Sequence, residues 1–212
     1  MSSERHIVLI GAGGHAGVIA DACVRAGRTV AGYLAPDAGT VAGLSRLGGD
    51  DRLDDPAFLA AHNFILAMGG MEVRQHVGTR LAQCRAQLAT IVHPSAIVGR
   101  DVELGGGTFV AAGAVLNPGA RIGRHAIINT RASVDHDCVL EDYVQVAPGA
   151  TLGGGVVCGE ASLIGIGAAV RQTVRIGRQV IVGVGAAVVS DLPDRVVAVG
   201  VPARPRVSAL RA

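Results

Sequence analysis

The chain has 212 residues, half of them hydrophobic, with 31 glycines, only five aromatic residues and a formal net charge of +2. This apolar content would suit a membrane protein, but one of the two longest uncharged stretches, residues 143–159, is rich in glycine and contains Pro148, unlike a spanning helix. The small net charge and the lack of a basic block argue against a nucleic-acid-binding protein. Glu4 and Arg5 precede only a short apolar run, so no signal peptide is recognised. A cytoplasmic protein with reduced cysteines is therefore expected.

The first ninety residues alternate between short apolar runs and helical patterns. Strands are predicted at residues 7–10, 29–34 and 64–68, and helices at residues 18–26 and 73–89. This alternation predicts a mixed α/β domain with a small parallel, Rossmann-like sheet. His93-Pro94 is the expected hinge, which divides the chain into domains at residues 1–92 and 93–212.

A glycine-rich turn separates the first predicted strand from the first helix. Gly11, Gly13 and Gly14 would expose backbone amides at a helix N-terminus, where phosphate is favoured. His15 in the same turn could contact a phosphate or cap the helix. No acidic residue ends the second strand, and Ala16 replaces the last glycine of the dinucleotide-binding pattern. A nucleotide-sugar site is therefore favoured over an NAD site, and a tight turn without ligand remains the alternative.

The remaining residues follow a six-residue period. From Val98 to Val188, sixteen positions spaced by six are almost all aliphatic, and a second slot four residues after each is small or aliphatic. Neither a helix nor a flat strand uses this period, whereas short strands separated by turns do. Three such units would close one triangular coil. The pattern predicts an all-β domain of hexapeptide repeats wound into a parallel β-helix.

One histidine of the repeats has suitable neighbours for chemistry. On the hexad lattice Cys138 and Cys158 point inward, which argues against a cysteine nucleophile, whereas His136 lies in a turn near the surface. Because Asp135 and Asp137 flank it, His136 suits a general base oriented by a carboxylate. A solvated turn histidine without a catalytic role remains the alternative.

A second histidine, His125, bears on the question of a metal. It lacks a neighbouring carboxylate and is expected to be a solvated turn residue. The repeats contain only His125 and His136, too few for a three-histidine zinc site, so no metal is expected.

Six segments are distinctive in combination: GAGGHA at 11–16, LGGDDRL at 47–53, Gly69-Gly70 with Arg74, HPSAIVG at 93–99, NTRASVDHDC at 129–138 and GVPAR at 200–204. Together with the six-residue period they resemble the bacterial sugar acyltransferases of the sialic-acid O-acetyltransferase type. The most similar branch contains N-acetyltransferases of nucleotide-linked amino-deoxysugars. This resemblance implies a left-handed β-helix, a homotrimer, acetyl-CoA bound between adjacent β-helices, and a nucleotide sugar held by the N-terminal domain.

The resemblance also assigns roles to individual residues. His136 would be the catalytic base and Asp137 the carboxylate that orients it. The residues implied in substrate binding are Gly13, Gly14, His15, Asp37, Glu72 and Asn129, and those implied in coenzyme binding are Gln145, Gly154 and Ile166. The family often has two adjacent Asp where this chain has Ala35 and Pro36, and often a second His where it has Gln145. The first departure leaves the nucleotide base open.

The expected function is acetyl-CoA-dependent N-acetylation of a UDP- or GDP-linked 4-amino-4,6-dideoxysugar by direct transfer, in glycan precursor synthesis. Two alternatives stay open at this point. The first is O-acetylation of a free sugar such as sialic acid, which would need the same base. The second is a non-catalytic hexapeptide-repeat protein that binds nucleotides.

Overall fold

The structure is a computed structural model that describes residues 5–36 and 39–206. The predicted substrate contact at Asp37 lies outside the described residues. The chain forms two compact units, divided between Pro94 and Ser95. The functions assigned from the sequence to residues 1–92 and 93–212 stay predictions.

The N-terminal unit contains one sheet of four parallel strands in the order β3-β2-β1-β4. Its strands are β1 (His6–Ile10), β2 (Val30–Leu34), β3 (Arg46–Gly48) and β4 (His62–Leu66). Its helices are α1 (Gly14–Arg25), α2 (Pro56–Ala61) and α3 (Met71–Gln83), with a 3-10 helix at Asp50–Asp54. The predicted parallel α/β fold is confirmed. The sheet is covered on both faces, so residues 7–10 and 64–66 are all buried and apolar.

Several features of this unit differ from the expectation: β3 was not predicted, and β4 begins at His62 and not at residue 64. Helix α3 ends at Gln83 and not at Ala89, because Arg85 adopts a left-handed conformation with φ of +55° and the chain then turns back to β4. There the Phe64 N–H donates to the Gln87 carbonyl at 2.8 Å. Helix α2 was also missed; it is only six residues long and starts where the Asp55 carboxylate caps two backbone amides.

The second unit is a parallel β-helix, as the period predicted, and it winds left-handed, as the resemblance implied. Each of the sixteen predicted aliphatic positions is the second residue of a two-residue strand. In chain order these are β6 (Ile97–Val98), β7 (Glu103–Leu104), β8 (Phe109–Val110), β9 (Val115–Leu116), β10 (Arg121–Ile122), β11 (Ile127–Ile128), β12 (Ser133–Val134), β13 (Val139–Leu140), β14 (Gln145–Val146), β15 (Thr151–Leu152), β16 (Val157–Cys158), β17 (Leu163–Ile164), β18 (Ala169–Val170), β19 (Arg175–Ile176), β20 (Ile181–Val182) and β21 (Ala187–Val188). The other strands of this unit are β22 (Val197–Val199) and β23 (Arg204–Arg206), which run antiparallel to each other, whereas β5 (Ile91–Val92) precedes the division at Pro94 and belongs to the N-terminal unit.

The strands stack into three parallel sheets because residues eighteen apart pair with each other, as Ile127 does with Gln145. The turns stack in the same way and form three corners. The first corner comprises residues 99–102, 117–120, 135–138, 153–156 and 171–174. The second comprises residues 105–108, 123–126, 141–144, 159–162 and 177–180, and the third comprises residues 111–114, 129–132, 147–150, 165–168 and 183–186.

The interior of the β-helix follows the two predicted slots. The aliphatic slot is buried from Val110 onward, whereas Val98 and Leu104 in the first coil are partly exposed. Polar residues in the small slot each donate to the carbonyl fifteen residues later: Thr108 to Gly123 at 2.7 Å, Ser162 to Gly177 at 2.8 Å, and Cys138 to Gly153 at 3.2 Å. These bonds compensate for the burial of the polar groups.

None of the helices within residues 5–36 and 39–206 has the length and apolar content that crossing a membrane requires.

Candidate active site

His136 lies at the first corner of the β-helix, in the turn between β12 and β13. Its side chain is 62% exposed, and its Nδ1 lies 2.8 Å from Oδ2 of Asp137. Asp137 has a φ of +58°, a left-handed conformation that Asp tolerates better than most residues. With the Nδ1 proton donated to this carboxylate, Nε2 carries the free lone pair. The pair is therefore arranged as a base and its orienting carboxylate.

The electrostatic surroundings increase the proton affinity of this imidazole. The pKa of His136 is raised, first by the hydrogen bond to Asp137 and then by the negative charge of Asp135. Both effects favour the imidazolium form that a general base becomes after it has taken a proton.

A second hydrogen-bond group holds the backbone of the same turn. Oδ1 of Asp135 accepts from the His136 N–H at 2.8 Å and from Nδ2 of Asn117 at 2.8 Å. The backbone N–H of His136 and the amide of Asn117 lower the pKa of Asp135, so this residue stays ionised. Asn117 was missed in the sequence, although it lies eighteen residues before Asp135 and is therefore its neighbour in the preceding coil.

Two glycines of the flanking coils contact the His136–Asp137 pair. A Cβ added to Gly154 would lie 2.5 Å from Nε2 of His136, and one added to Gly119 would lie 2.8 Å from Oδ1 of Asp137. Gly154 itself is buried, and its N–H has no hydrogen-bond acceptor within the part of the chain that the structure describes. The structure thus brings His136, Asp137 and Gly154 together, and only glycine at position 154 leaves the imidazole where it is.

The two cysteines of the β-helix interior take no part in this arrangement. Cys138 and Cys158 are fully buried, as predicted. Burial raises the pKa of both thiols, that of Cys158 to about 12. Neither is available as a thiolate nucleophile at neutral pH.

The expectation that His125 is a solvated turn residue is wrong. It is 3% exposed and stacks on Tyr143, with ring centroids 5.1 Å apart, in the second corner. A Cβ on Gly107 in the preceding coil would lie 2.5 Å from its Nδ1, so the ring is enclosed on this side too. His125 therefore contributes to packing.

Three other predicted residues belong to the third corner or to the sheet beside it. Asn129 is half-buried and accepts a hydrogen bond from the Thr130 N–H at 2.8 Å. Gln145 is half-buried on β14, next to the inward-pointing Val146, and Ile166 is 54% exposed. Within one chain these residues lie at a different corner from His136.

The glycine turn of the N-terminal unit is open to solvent. Gly11 needs to be glycine, because its φ is +119° and an added Cβ would lie 3.0 Å from the Ala67 carbonyl oxygen. In contrast, Cβ atoms on Gly13 and Gly14 would meet nothing within 4 Å. Gly13 is the N-cap of α1, so the first amides of this helix can be approached closely by an anionic ligand.

His15 lies beside this turn and is held in its neutral form. Burial, followed by the positive charge of Arg74, lowers its pKa to about 4. Arg74 is only 1% exposed and follows the N-terminus of α3, where Glu72 is exposed in the first turn. Helices α1 and α3 both begin after the carboxyl ends of adjacent parallel strands, β1 and β4, so both N-termini lie at one edge of the sheet.

No cluster of three or more His, Cys, Asp or Glu side chains suited to a metal ion occurs among the residues that the structure describes.

Known proteins resemble this chain in both units. Residues 6–81 match the PglD N-terminal domain family. Perosamine N-acetyltransferase from Caulobacter crescentus, solved as a mutant with CoA and GDP-perosamine, is 39% identical with a TM-score of 0.92, over 96% of this chain and 97% of that one. The acetyltransferase domain of PglB from Neisseria gonorrhoeae FA1090 is 34% identical with a TM-score of 0.90, over 96% and 100% of the two chains.

A curated relative gives a shorter alignment. GDP-perosamine N-acetyltransferase from Escherichia coli O157:H7 is 33% identical over 122 residues, which is 58% of this chain and 55% of that protein. The chain thus spans about half the length of the curated relatives that it matches.

The β-helix and the likeness to acetyltransferases solved with CoA or acetyl-CoA make this chain a hexapeptide-repeat acyltransferase. The sequence identity of 34–39% to two solved acetyltransferases, over 96% of this chain, specifies the family within that class. The chain belongs to the bacterial hexapeptide-repeat family of nucleotide-amino-sugar N-acetyltransferases, which confirms the resemblance found in the sequence.

Proposed function

We propose that the protein transfers the acetyl group of acetyl-CoA to the amino group of a nucleotide-linked 4-amino-4,6-dideoxysugar, with a GDP-linked sugar as the first candidate. The observation that carries the proposal is the His136–Asp137 pair with Gly154 directly against it. The Caulobacter relative, solved with CoA and GDP-perosamine, supports the substrate class. Neither O-acetylation of a free sugar nor a non-catalytic role is favoured by these relatives.

The chemistry would be a direct acyl transfer. The sugar amine attacks the thioester carbonyl while Nε2 of His136 removes its proton, and Asp137 stabilises the resulting imidazolium. The N–H of Gly154, which has no protein acceptor within the described residues, would donate to the oxyanion of the tetrahedral intermediate. The intermediate then collapses, the carbon–sulfur bond breaks, and coenzyme A leaves as the thiol with the proton held by His136.

The nucleotide would bind to the N-terminal unit. The α1 N-terminus at Gly13 and Gly14 offers uncovered amides for a diphosphate, and the buried charge of Arg74 makes this edge of the sheet more positive. Neutral His15 can either donate or accept a hydrogen bond there. The exposed carboxylate of Glu72 suits a hydroxyl or an amine of the sugar.

The active site, with Asn129 near the sugar amine and Ile166 near the coenzyme, would be shared between chains of a homotrimer. His136 and Gly154 lie at the first corner, whereas Asn129 and Ile166 lie at the third, so a neighbouring copy would supply the second set of residues. Exposed apolar side chains at the third corner, Ile166 at 54% and Val184 at 75%, support a contact surface there. Gln145 would contact the coenzyme. Because acetyl-CoA and nucleotide sugars are cytoplasmic metabolites, the cytoplasm is the proposed location.

A substrate panel tests this function. UDP-, GDP- and dTDP-linked 4-amino-4,6-dideoxysugars are each incubated with acetyl-CoA, and the free thiol is measured together with the mass of the sugar product. A mass increase of one acetyl group on the GDP-linked sugar is expected. Reaction with free sialic acid, and with none of the nucleotide sugars, would refute the proposal.

A pair of histidine variants tests the base. His136→Ala should lower kcat about 10²- to 10⁴-fold, the usual contribution of general base catalysis. His6→Ala is the matched control, because His6 is exposed at the amino end of β1, away from the glycine turn. Normal turnover in the His136 variant would remove this residue from the mechanism.

A further inference from the structure

We propose that Asn117 and Asp135 form a positioning pair for His136: Asp135 holds the His136 backbone and sustains the basicity of its ring, and Asn117 fixes Asp135 from the preceding coil. The inference rests on the proposed function of His136 as the general base. Its physical basis is one carboxylate oxygen, Oδ1 of Asp135, which accepts two hydrogen bonds of 2.8 Å from groups on two different coils.

The His136 turn differs from other turns in the origin of the carboxylate that binds its backbone N–H. The second residue of a turn often has its N–H bound by a side chain. Arg124 N–H donates to Oδ1 of Asp142 at 2.7 Å, and Arg178 N–H donates to Oδ1 of Asp194 at 2.9 Å. In both turns the carboxylate comes from the coil that follows. At His136 it comes from the preceding residue of the same turn.

The coil that follows His136 explains why the carboxylate comes from its own turn. In the following coil, the residue in register with His136 is Gly154, and any Cβ there would collide with the imidazole. A capping side chain from that position would therefore occupy the space around Nε2. Supplying the cap from Asp135 leaves that space open, and Asn117 on the opposite side restrains the carboxylate. The His136 turn is thus held from the side of the preceding coil, and Nε2 stays accessible on the side of Gly154.

The charge of Asp135 provides a second effect. Among the residues that the structure describes, the ionisable groups that face His136 are Asp135 and Asp137 of its own turn. The two turns stacked on it, residues 117–120 and 153–156, contain no ionisable side chain. Removing the charge of Asp135 while keeping its acceptor should therefore lower the pKa of His136, since Asp137 alone would remain.

Three variants separate the two effects. Asp135→Asn keeps the oxygen acceptor and removes the charge, Asn117→Ala removes the restraint and keeps the charge, and Asp135→Ala removes both. NMR titration of the His136 imidazole should give a lower pKa in Asp135→Asn and an unchanged pKa in Asn117→Ala. Hydrogen exchange of the His136 amide should be faster in Asp135→Ala and Asn117→Ala than in the wild type.

Kinetics complete the test. With acetyl-CoA and the sugar identified by the panel, Asn117→Ala and Asp135→Ala should lose kcat by about tenfold or more with little change in KM, as expected for a misplaced base. Asp135→Asn should move the acidic limb of kcat/KM to lower pH. Asp142→Asn is the control, because it makes the same charge change at the second corner and should not alter the His136 titration.

Two results would overturn the inference. One is a His136 pKa in Asp135→Asn that equals the wild-type value. A shift of the same size in the control Asp142→Asn would count equally against it. The other is unchanged His136 amide exchange in both alanine variants. Because the titration and exchange measurements need no substrate, they test the pair even if the panel gives no acetyl transfer.

Discussion

Replacing Gly154 by alanine should separate the catalytic function of this position from folding. The new Cβ would lie 2.5 Å from Nε2 and 2.6 Å from Cε1 of His136, about 1 Å short of ordinary van der Waals contact, which begins at 3.4 Å. The His136 ring is 62% exposed and can rotate away. It cannot do so and keep the 2.8 Å hydrogen bond between Nδ1 and Asp137. Misplacing a catalytic group by about 1 Å costs on the order of 10²-fold in rate, so kcat should fall by about that factor with little change in Tm.

Gly107 offers a matched control, because an alanine there would also collide with an imidazole. Its Cβ would lie 2.5 Å from Nδ1 of His125, but this ring is 3% exposed and stacked on Tyr143. Gly107 also has a φ of +78°, which an alanine adopts at a cost of about 1 kcal/mol. With a similar loss from the disturbed ring pair, Gly107→Ala should destabilise the protein by about 2 kcal/mol and lower Tm by about 4–8 °C.

Steady-state kinetics and thermal unfolding of both variants provide the comparison. Gly154→Ala should be stable and slow, and Gly107→Ala should be less stable with normal turnover at temperatures below its transition. The reasoning is refuted if Gly154→Ala has wild-type kcat. It is equally refuted if Gly154→Ala loses as much stability as Gly107→Ala, since the slow turnover would then reflect unfolding.

Three further outcomes are expected. Because the pKa of His136 is raised and the base must be neutral, kcat/KM should increase with pH through an apparent pKa above the model-peptide value of 6.5, and a pH-independent profile from pH 5 to 9 would contradict the assignment. Cys138→Ala removes the thiol that donates to the carbonyl of the Gly153–Gly154 peptide and should lower kcat. Ser162→Ala removes the equivalent donor away from the site and should reduce stability alone. Equal effects of the two variants on kcat would exclude a positioning role for the thiol. His15 takes up its proton near pH 6.5 in the unfolded chain but only near pH 4 in the folded chain. The free energy of unfolding should therefore decrease as the pH falls below 6.5, by about 2–3 kcal/mol between pH 7.5 and 4.5. Urea unfolding of His15→Gln should have a flatter pH dependence, and parallel curves for the two proteins would refute this attribution.

The six-residue period explains why so much of the β-helix could be predicted. A slot that recurs every six residues also implies contacts between residues eighteen apart, and all sixteen aliphatic positions occupy strands in that register. Two aspartates flank His136 in sequence, so adjacency predicted a carboxylate partner, and the resemblance singled out Asp137. Asn117 could have been found by the same arithmetic, starting from Asp135.

Other features depend on interactions that have no period. His125 occupies a turn position, as His136 does, and its burial follows from stacking on Tyr143 and from the enclosing Gly107. Strand β3 is three residues long and carries no alternating pattern. The end of α3 is determined by the left-handed Arg85 and by pairing with β4, which sequence propensity does not reveal. The roles of the binding residues stay predictions.

The stacking of coils also determines how the site would respond to partial unfolding. In a solenoid each coil contacts only its immediate neighbours, so disorder enters from an end and advances coil by coil. The turns at 153–156 and 171–174 lie between the His136 turn and the C-terminal end of the stack. Fraying from this end must open both turns before it reaches His136. Gly154 belongs to the first turn on the C-terminal side of His136, so the contact between them would be lost only in the last step of such fraying.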